Sequence, residues 1–461
     1  MSAPAGMLDR VALAREVADG RIDTVVTAIP DLYGRLVGKR IHAPYFLSEV
    51  LGHGMHVCDY LLACDMEMDP TPGYAFASWA TGYGDLHATV DLATLRRAAW
   101  LERTAIALCD VAREGEGPVA VAPRSVLRRQ LERAAARGLF PLIGSELEFF
   151  LFREDYAQAR AKGWRGLVHG HHYVEDYHVL SGTFVEPVIG AIRRHVDASG
   201  IPVEFSKGEW GPGQHEINLR YAPALEMADR HVVYKQAAKE IAAAHGFSLT
   251  FMAKFQEDLA GSSLHVHLSL AGSGGEALFP GDRELAGSPV RASDTFRWFL
   301  GGCLSHAREL ALCFAPTANS YKRYRRGTFA PTGIAWSYDN RTAGFRVVGR
   351  GDGLRIECRI PGADANPYFA YAALLAAGLA GIEARREPGP AFRGDVYTAE
   401  GLPQIPRSLA EALSEFERSR VAREAFGAAV VEHYLHFVRS EAAALDARVS
   451  DVERSRYFER I

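Results

Sequence analysis

The chain has 461 residues, 48% of them apolar, which is too long for one ordinary core and rich enough in hydrophobes for a large one beside a smaller domain. Its 56 acidic and 52 basic residues leave a formal charge of -4, with no cationic excess to hold a polyanion, so nucleic acid is excluded as an expected partner. Six cysteines without a Cys-x-x-Cys pair fit a reducing cytoplasm, and the sequence is read as carrying neither an export signal nor a membrane span.

In chain order, short apolar runs between Gly and Pro from Ile22 to about Ala112 predict a small mixed domain with several strands. The segment Asp110 to Pro123, charged and turn-rich over Arg113 to Pro118, marks the join, dividing the chain into residues 1–114 and 115–461. A helix is expected from Pro123, with Leu127 and Leu131 facing the core and Gly138 as its stop. Further helices are expected over Ala224 to Ala244 and from Phe296 to about Cys313, with Ala-rich helices near Ala372 and Ala442. His169, His171 and His172 fall in a glycine-rich stretch that reads as a surface loop, and Gly349 to Gly353 reads as a turn between strands.

The informative segments place ionisable residues at every second position with apolar residues between them. On a strand such residues share one face. Glu146 and Glu148 do so in IGSELEFF; His265, His267 and Ser269 in SLHVHLSL; Arg355, Glu357 and Arg359 in LRIECRI; and Glu216, Asn218 and Arg220 in HEINLR, preceded by Glu209 and a Gly-Pro-Gly turn. Any one of these ribs is also what an ordinary sheet with a wet face looks like. Together they put costly charge on inward faces, which calls for bound ions. Carboxylates with one imidazole suit magnesium or manganese better than zinc or calcium, and the interleaved arginines suit phosphate oxygens. Those parts describe phosphoryl transfer.

The strings SELEFF, EWGPGQHEINL, GSSLHVHLS, NSYKR and RIECRIPGADANPY, in this order, resemble the glutamine synthetase family. The resemblance implies an α+β fold: a small N-terminal β-grasp domain, then a catalytic domain whose curved antiparallel sheet forms a funnel. It also implies a homo-oligomer, a hexameric ring or a dodecamer, with active sites between subunits. Carried over by position, it makes Glu148, Glu209 and Glu216 ligands of the metal on the glutamate and amine side. Glu146, His265 and Glu357 become ligands of the metal on the ATP phosphates. It gives Arg346, Arg355, His267 and Ser269 to ATP, Arg341 and Arg359 to the transferring phosphoryl group and the glutamate side chain, and Arg323 and Gly261 to the glutamate α-carboxylate and α-amino ends. The implied cofactor is Mg2+ or Mn2+ with ATP as co-substrate. The implied reaction forms a γ-glutamyl phosphate that a neutral amine then attacks beneath a lid at about Tyr324 to Pro331.

Two departures bear on the amine. Where glutamine-forming members carry a lid glutamate, this chain has Phe329, and the family's Asp-Gly-Ser-Ser string reads Asp59-Tyr60-Leu61-Leu62. Ammonium wants hydrogen-bond acceptors on every side, whereas an alkylammonium brings its own hydrocarbon. A small organic monoamine is therefore the expected nucleophile, with Asp59 holding it and accepting its proton. The alternatives are a glutamine synthetase using ammonia and, from another class, a non-catalytic structural or sensory relative. The intact ligand and arginine positions speak against the latter.

Overall fold

The computed structural model describes residues 4–461. Its first sheet is built from β1 (Thr24–Pro30), β2 (Leu36–His42), β3 (Met55–Cys58), β4 (Asp85–Val90) and β5 (Thr104–Arg113), in the order β2-β1-β5-β4-β3. The short strands Arg96–Arg97 and Gly117–Pro118 pair with β5. The β1–β5 pair is parallel and its neighbours are antiparallel.

The second sheet carries the charged ribs. It contains β6 (Phe140–Phe152), β7 (Val203–Gly208), β8 (Gln214–Pro223), β9 (Leu264–Ala271), β10 (Trp336–Tyr338), β11 (Phe345–Val348) and β12 (Arg355–Cys358). Their order is β10-β11-β12-β9-β6-β8-β7, with Ser248–Thr250 added alongside β6. Only the β10–β11 pair is parallel. Leu147, Ile217, Leu264, Val266 and Ile356 are buried between the charged positions, so each strand sends its apolar set to the core and its ionisable set to the other face. The turn at Gly349 to Gly353 joins β11 to β12, as its composition predicts.

Helices back the sheet. Helix α1 (Pro123–Ala135) starts on proline and buries Val126, Leu127 and Ala134, while Leu131 is half-buried against the core. Helix α2 (Ala224–Ala244) has the predicted limits. The helix expected from Phe296 to about Cys313 is two pieces, α3 (Asp294–His306) and a short turn at Ala311–Phe314. Between them Arg308 pairs with Glu415 and Glu411 and donates to the Gln404 carbonyl. Helix α4 (Pro367–Glu383) is buried on nearly all sides. Gly378 and Gly381 let it lie directly on α3, because a Cβ at either would run into the Phe299 ring or the Trp298 and Gly302 backbone.

One buried cation ties the first sheet to the helices that back the second. From α1, Arg124 reaches Asp91 at 2.7 Å, Asp110 at 2.5 Å and Asp229 on α2 at 2.9 Å, and Tyr368 on α4 donates to the same Asp229 at 2.6 Å. The six cysteines are all unpaired and five are buried. Among the described residues no helix is long and apolar enough to cross a membrane.

Candidate active site

Cross-strand register brings the ribs together. Glu148 on β6 lies opposite Glu216 on β8, Glu146 opposite both Asn218 on β8 and His265 on β9, and His267 opposite Glu357 on β12, which in turn faces Arg346 on β11. Two clusters of ligand atoms result, each within 4.8 Å: Glu146, Glu216 and His265 in one, Glu148, Glu209 and Glu216 in the other. Glu216 belongs to both. The sixth position, Glu357, lies beside them, with its carboxylate 3.9 Å from His265 Nδ1.

The protonation pattern fits a site made for cations. Burial, then the charges of Glu146, Glu209 and Glu148, pushes the Glu216 carboxyl up to about 11, and burial with Glu209 pushes Glu148 up to about 8. Divalent ions would relieve that crowding, since carboxylates coordinate in their ionised form. In the other cluster burial also opposes charge, but the imidazoles of His265 and His267 hold Glu146 well below the carboxylate range. Against burial, Arg359, His267 and His265 hold Glu357 at about 2. His265 places Nδ1 2.6 Å from Glu146, and its buried Nε2 has no partner, as a nitrogen reserved for a ligand would. His267 is oriented from both sides, accepting at Nδ1 from Arg355 Nε at 3.2 Å while Nε2 meets Glu146 at 3.2 Å.

Two cavities share this face. One, of about 750 Å3, is lined by His267, Ser269, Arg346, Asp352 and Arg355; the other, of about 190 Å3, by Glu148, Glu209, Gly261, Phe329 and Arg359. Glu146, Glu216, Arg341, Lys207 and Tyr177 line both. A wide pocket edged by arginines therefore opens onto a narrow one edged by acids. Arg346 donates to Glu357 at 2.8 Å and to Asp339, and Arg359 pairs with the other Glu357 oxygen, so these guanidinium groups are positioned by the acid they flank.

Some expected site residues lie apart. Arg323 is buried, its guanidinium donating to the Ile360 carbonyl at 2.8 Å, to Ser263 Oγ at 2.7 Å and to the Arg359 carbonyl at 3.0 Å; it braces the wall behind the narrow cavity and packs against Gly261. Asp59 sits in the first sheet's half of the chain, buried and 3.1 Å from Arg113, away from the acid clusters of its own chain. The three histidines of VHGHHY are in a loop, but not a purely surface one. His169 packs on Phe152 and Phe150, and His171 is buried; only His172 is exposed.

Other residues come into view only here. Lys207 on β7 lies opposite Glu216, pairs with Glu209 and sits 4.3 Å from the centre of the Tyr177 ring. Its spacing from Glu209 continues the period-two pattern, so the same alternation could have found it. Gln214 donates to Glu148 at 3.3 Å and to the Gly261 carbonyl at 3.0 Å, and the Ser263 N–H donates to Glu148 at 2.8 Å, fixing that carboxylate. Asp176, Tyr177 and Trp210 also line the narrow cavity, and as loop residues they carry no periodic signal.

Comparison with known proteins agrees with this architecture. Residues 120–457 match the family model described as glutamine synthetase, catalytic domain. The chain is 50% identical over 445 residues to the γ-glutamylethanolamide synthetase GlnA4 of Streptomyces coelicolor, covering 96% of this chain and 94% of that one. It is 35% identical to a glutamate–isopropylamine ligase of a Pseudomonas species, covering 95% of each. A solved structure described as a GmaS/ADP complex superposes with a TM-score of 0.84 at 29% identity, covering 97% of this chain and 99% of the other.

Proposed function

The chain belongs to the glutamine synthetase family of ATP-dependent carbon–nitrogen ligases, and on that premise we propose that it joins the side-chain carboxylate of glutamate to a small organic monoamine. The observation that carries the reading is the shared wall between the two cavities: a nucleotide in the wide one and glutamate in the narrow one would meet across Glu146, Glu216 and Arg341. Bound at Glu146, His265 and Glu357, and at Glu148, Glu209 and Glu216, Mg2+ or Mn2+ would supply charge neutralisation for phosphoryl transfer. In the first half-reaction the glutamate carboxylate oxygen attacks the γ-phosphorus, the bond to the β-phosphate oxygen breaks, and ADP leaves. In the second, the amine nitrogen attacks the acyl carbon of the γ-glutamyl phosphate, the C–O bond breaks, and phosphate leaves as the nitrogen loses a proton.

In this reading Arg341 and Arg359 hold the transferring group, His267, Ser269, Arg346 and Arg355 hold ATP, and Gly261 lines the glutamate end, with Arg323 bracing the wall behind it. Phe329 supports the organic amine, because it offers hydrocarbon on the wall of the acid-lined cavity where an ammonium-binding lid would offer a carboxylate. Both amine ligases described above point the same way. Asp59 would reach an amine only from a neighbouring subunit, which favours a homo-oligomeric ring with shared active sites. Six unpaired thiols favour a reducing cytoplasm.

Phosphate release with glutamate, ATP and Mg2+ across ammonium, methylamine, ethanolamine, isopropylamine and putrescine tests the proposal. Turnover fastest with one of the monoalkylamines supports it; ammonium as the best substrate overturns the amine assignment and leaves a glutamine-forming enzyme.

A further inference from the structure

On the reading that the amine is organic, we infer that Trp210 is a specificity-determining residue which, with Phe329, forms the apolar wall that receives the substituent of the amine. Trp210 directly follows Glu209 and opens the Gly-Pro-Gly turn into β8. That turn is pinned. The Glu209 N–H donates to the Gln214 carbonyl at 2.8 Å, and the Gln214 N–H donates to the Gly211 carbonyl at 2.9 Å. A Cβ at Gly211 would lie 2.6 Å from the Phe150 ring. One at Gly213, where φ is +67°, would lie 2.8 Å from the Gly170 nitrogen. Neither position tolerates a side chain, so the backbone that carries the indole is held directly beside Glu209.

Phe329 approaches from the lid. Its φ of +60° is a left-handed conformation that a bulky side chain rarely adopts and that persists only where surroundings hold it. Its ring meets the Trp210 ring edge to face, with centroids 5.3 Å apart and planes at 61°. Trp210 is 52% exposed and Phe329 47%, yet both line the narrow cavity that also holds Glu148, Glu209 and Glu216. Two large aromatic groups half-open to water beside three acids are poor packing but a good receptor for a cation carrying a hydrocarbon. The nitrogen points toward the acid-lined side of the cavity, where Asp59 would hold it, and the ring surfaces cover the substituent and attract the positive end of the molecule. At about 190 Å3 the space suits a short substituent. Ammonium has nothing to place against such a wall.

The test is steady-state phosphate release by the full-length enzyme, Trp210→Ala and Trp210→Phe, with ethanolamine, isopropylamine and ammonium, at saturating glutamate, ATP and Mg2+. The wild-type enzyme is expected to prefer an alkylamine. Trp210→Ala should raise KM for that amine about tenfold, the scale on which a hydrophobic pocket distinguishes ligands, while KM for glutamate and for ammonium moves far less and Trp210→Phe restores most of the loss. An alkylamine-to-ammonium preference unchanged by Trp210→Ala, or an equal rise in all three KM values, overturns the role of Trp210 and leaves the organic-amine reading standing. A wild-type enzyme that prefers ammonium removes that reading, and this inference with it.

Discussion

Glu216 faces Glu148 across the antiparallel pair β6–β8, and the same carboxylate completes the neighbouring cluster with Glu146 and His265. A single side chain thus joins the two proposed ion sites, and burial beside three other carboxylates keeps it protonated in the metal-free protein. Its replacement has two effects that separate cleanly.

Glu216→Gln should raise the melting temperature of the metal-free protein, because the raised Glu216 carboxyl must take up a proton on folding at neutral pH and glutamine need not, and should abolish the further rise that Mg2+ or Mn2+ gives the wild type by binding the folded state. ATP turnover should fall at least ~100-fold, beyond the usual loss from outer-shell substitutions. Differential scanning fluorimetry with and without metal, alongside phosphate release, checks both. Metal stabilisation equal to wild type would contradict the ligand assignment.

Arg341 is exposed, lines both cavities and has no ion-pair partner among the described residues. Arg341→Ala should therefore leave stability within about 0.5 kcal/mol, as for surface changes, while lowering kcat about 10²- to 10³-fold, the scale for removing one donor to a developing charge. Single-turnover measurement of ADP formation with saturating glutamate would read the loss directly.

Phe329→Glu restores a carboxylate to the lid. The ratio of kcat/KM for ammonium over that for the best alkylamine should rise at least about tenfold, since the acid provides an acceptor for ammonium and removes hydrocarbon from the wall. No change in that ratio would mean that the lid does not read the amine.

Arg124 is the fourth case, and it concerns stability. Arg124→Met leaves Asp229 buried without its cation and should cost about 3–5 kcal/mol in denaturant unfolding at neutral pH. Burial opposes charge on Asp91, but Arg124 outweighs it and holds that carboxyl below its ordinary value of 3.8. For a depressed carboxyl, the contribution is complete above the unfolded-state pKa and lost as pH falls through the folded one. The wild-type advantage should accordingly be present at pH 7 and shrink below about pH 4. An advantage independent of pH would show that Arg124 acts through packing alone.

The sequence by itself determined which groups could do chemistry and which of them share a strand face. That follows from local geometry, because alternate side chains on a strand point the same way wherever the strand ends up, so Glu146 with Glu148 and His265 with His267 were legible without coordinates. Helix limits at Pro123 and over Ala224 to Ala244 were legible for the same reason, as proline placement and apolar periodicity act within a few residues. Tertiary structure alone decided the register that sets Glu148 against Glu216 and Glu146 against His265, since strand pairing is chosen by core burial over long separations and a slip of one residue would turn every rib to the wrong face. It also decided that Arg323 is a brace within the wall, that Arg308 pairs with Glu411 and Glu415, and that Trp210 on a pinned turn meets the ring of Phe329. Each depends on which distant groups happen to be near, and that is information no short stretch of chain contains.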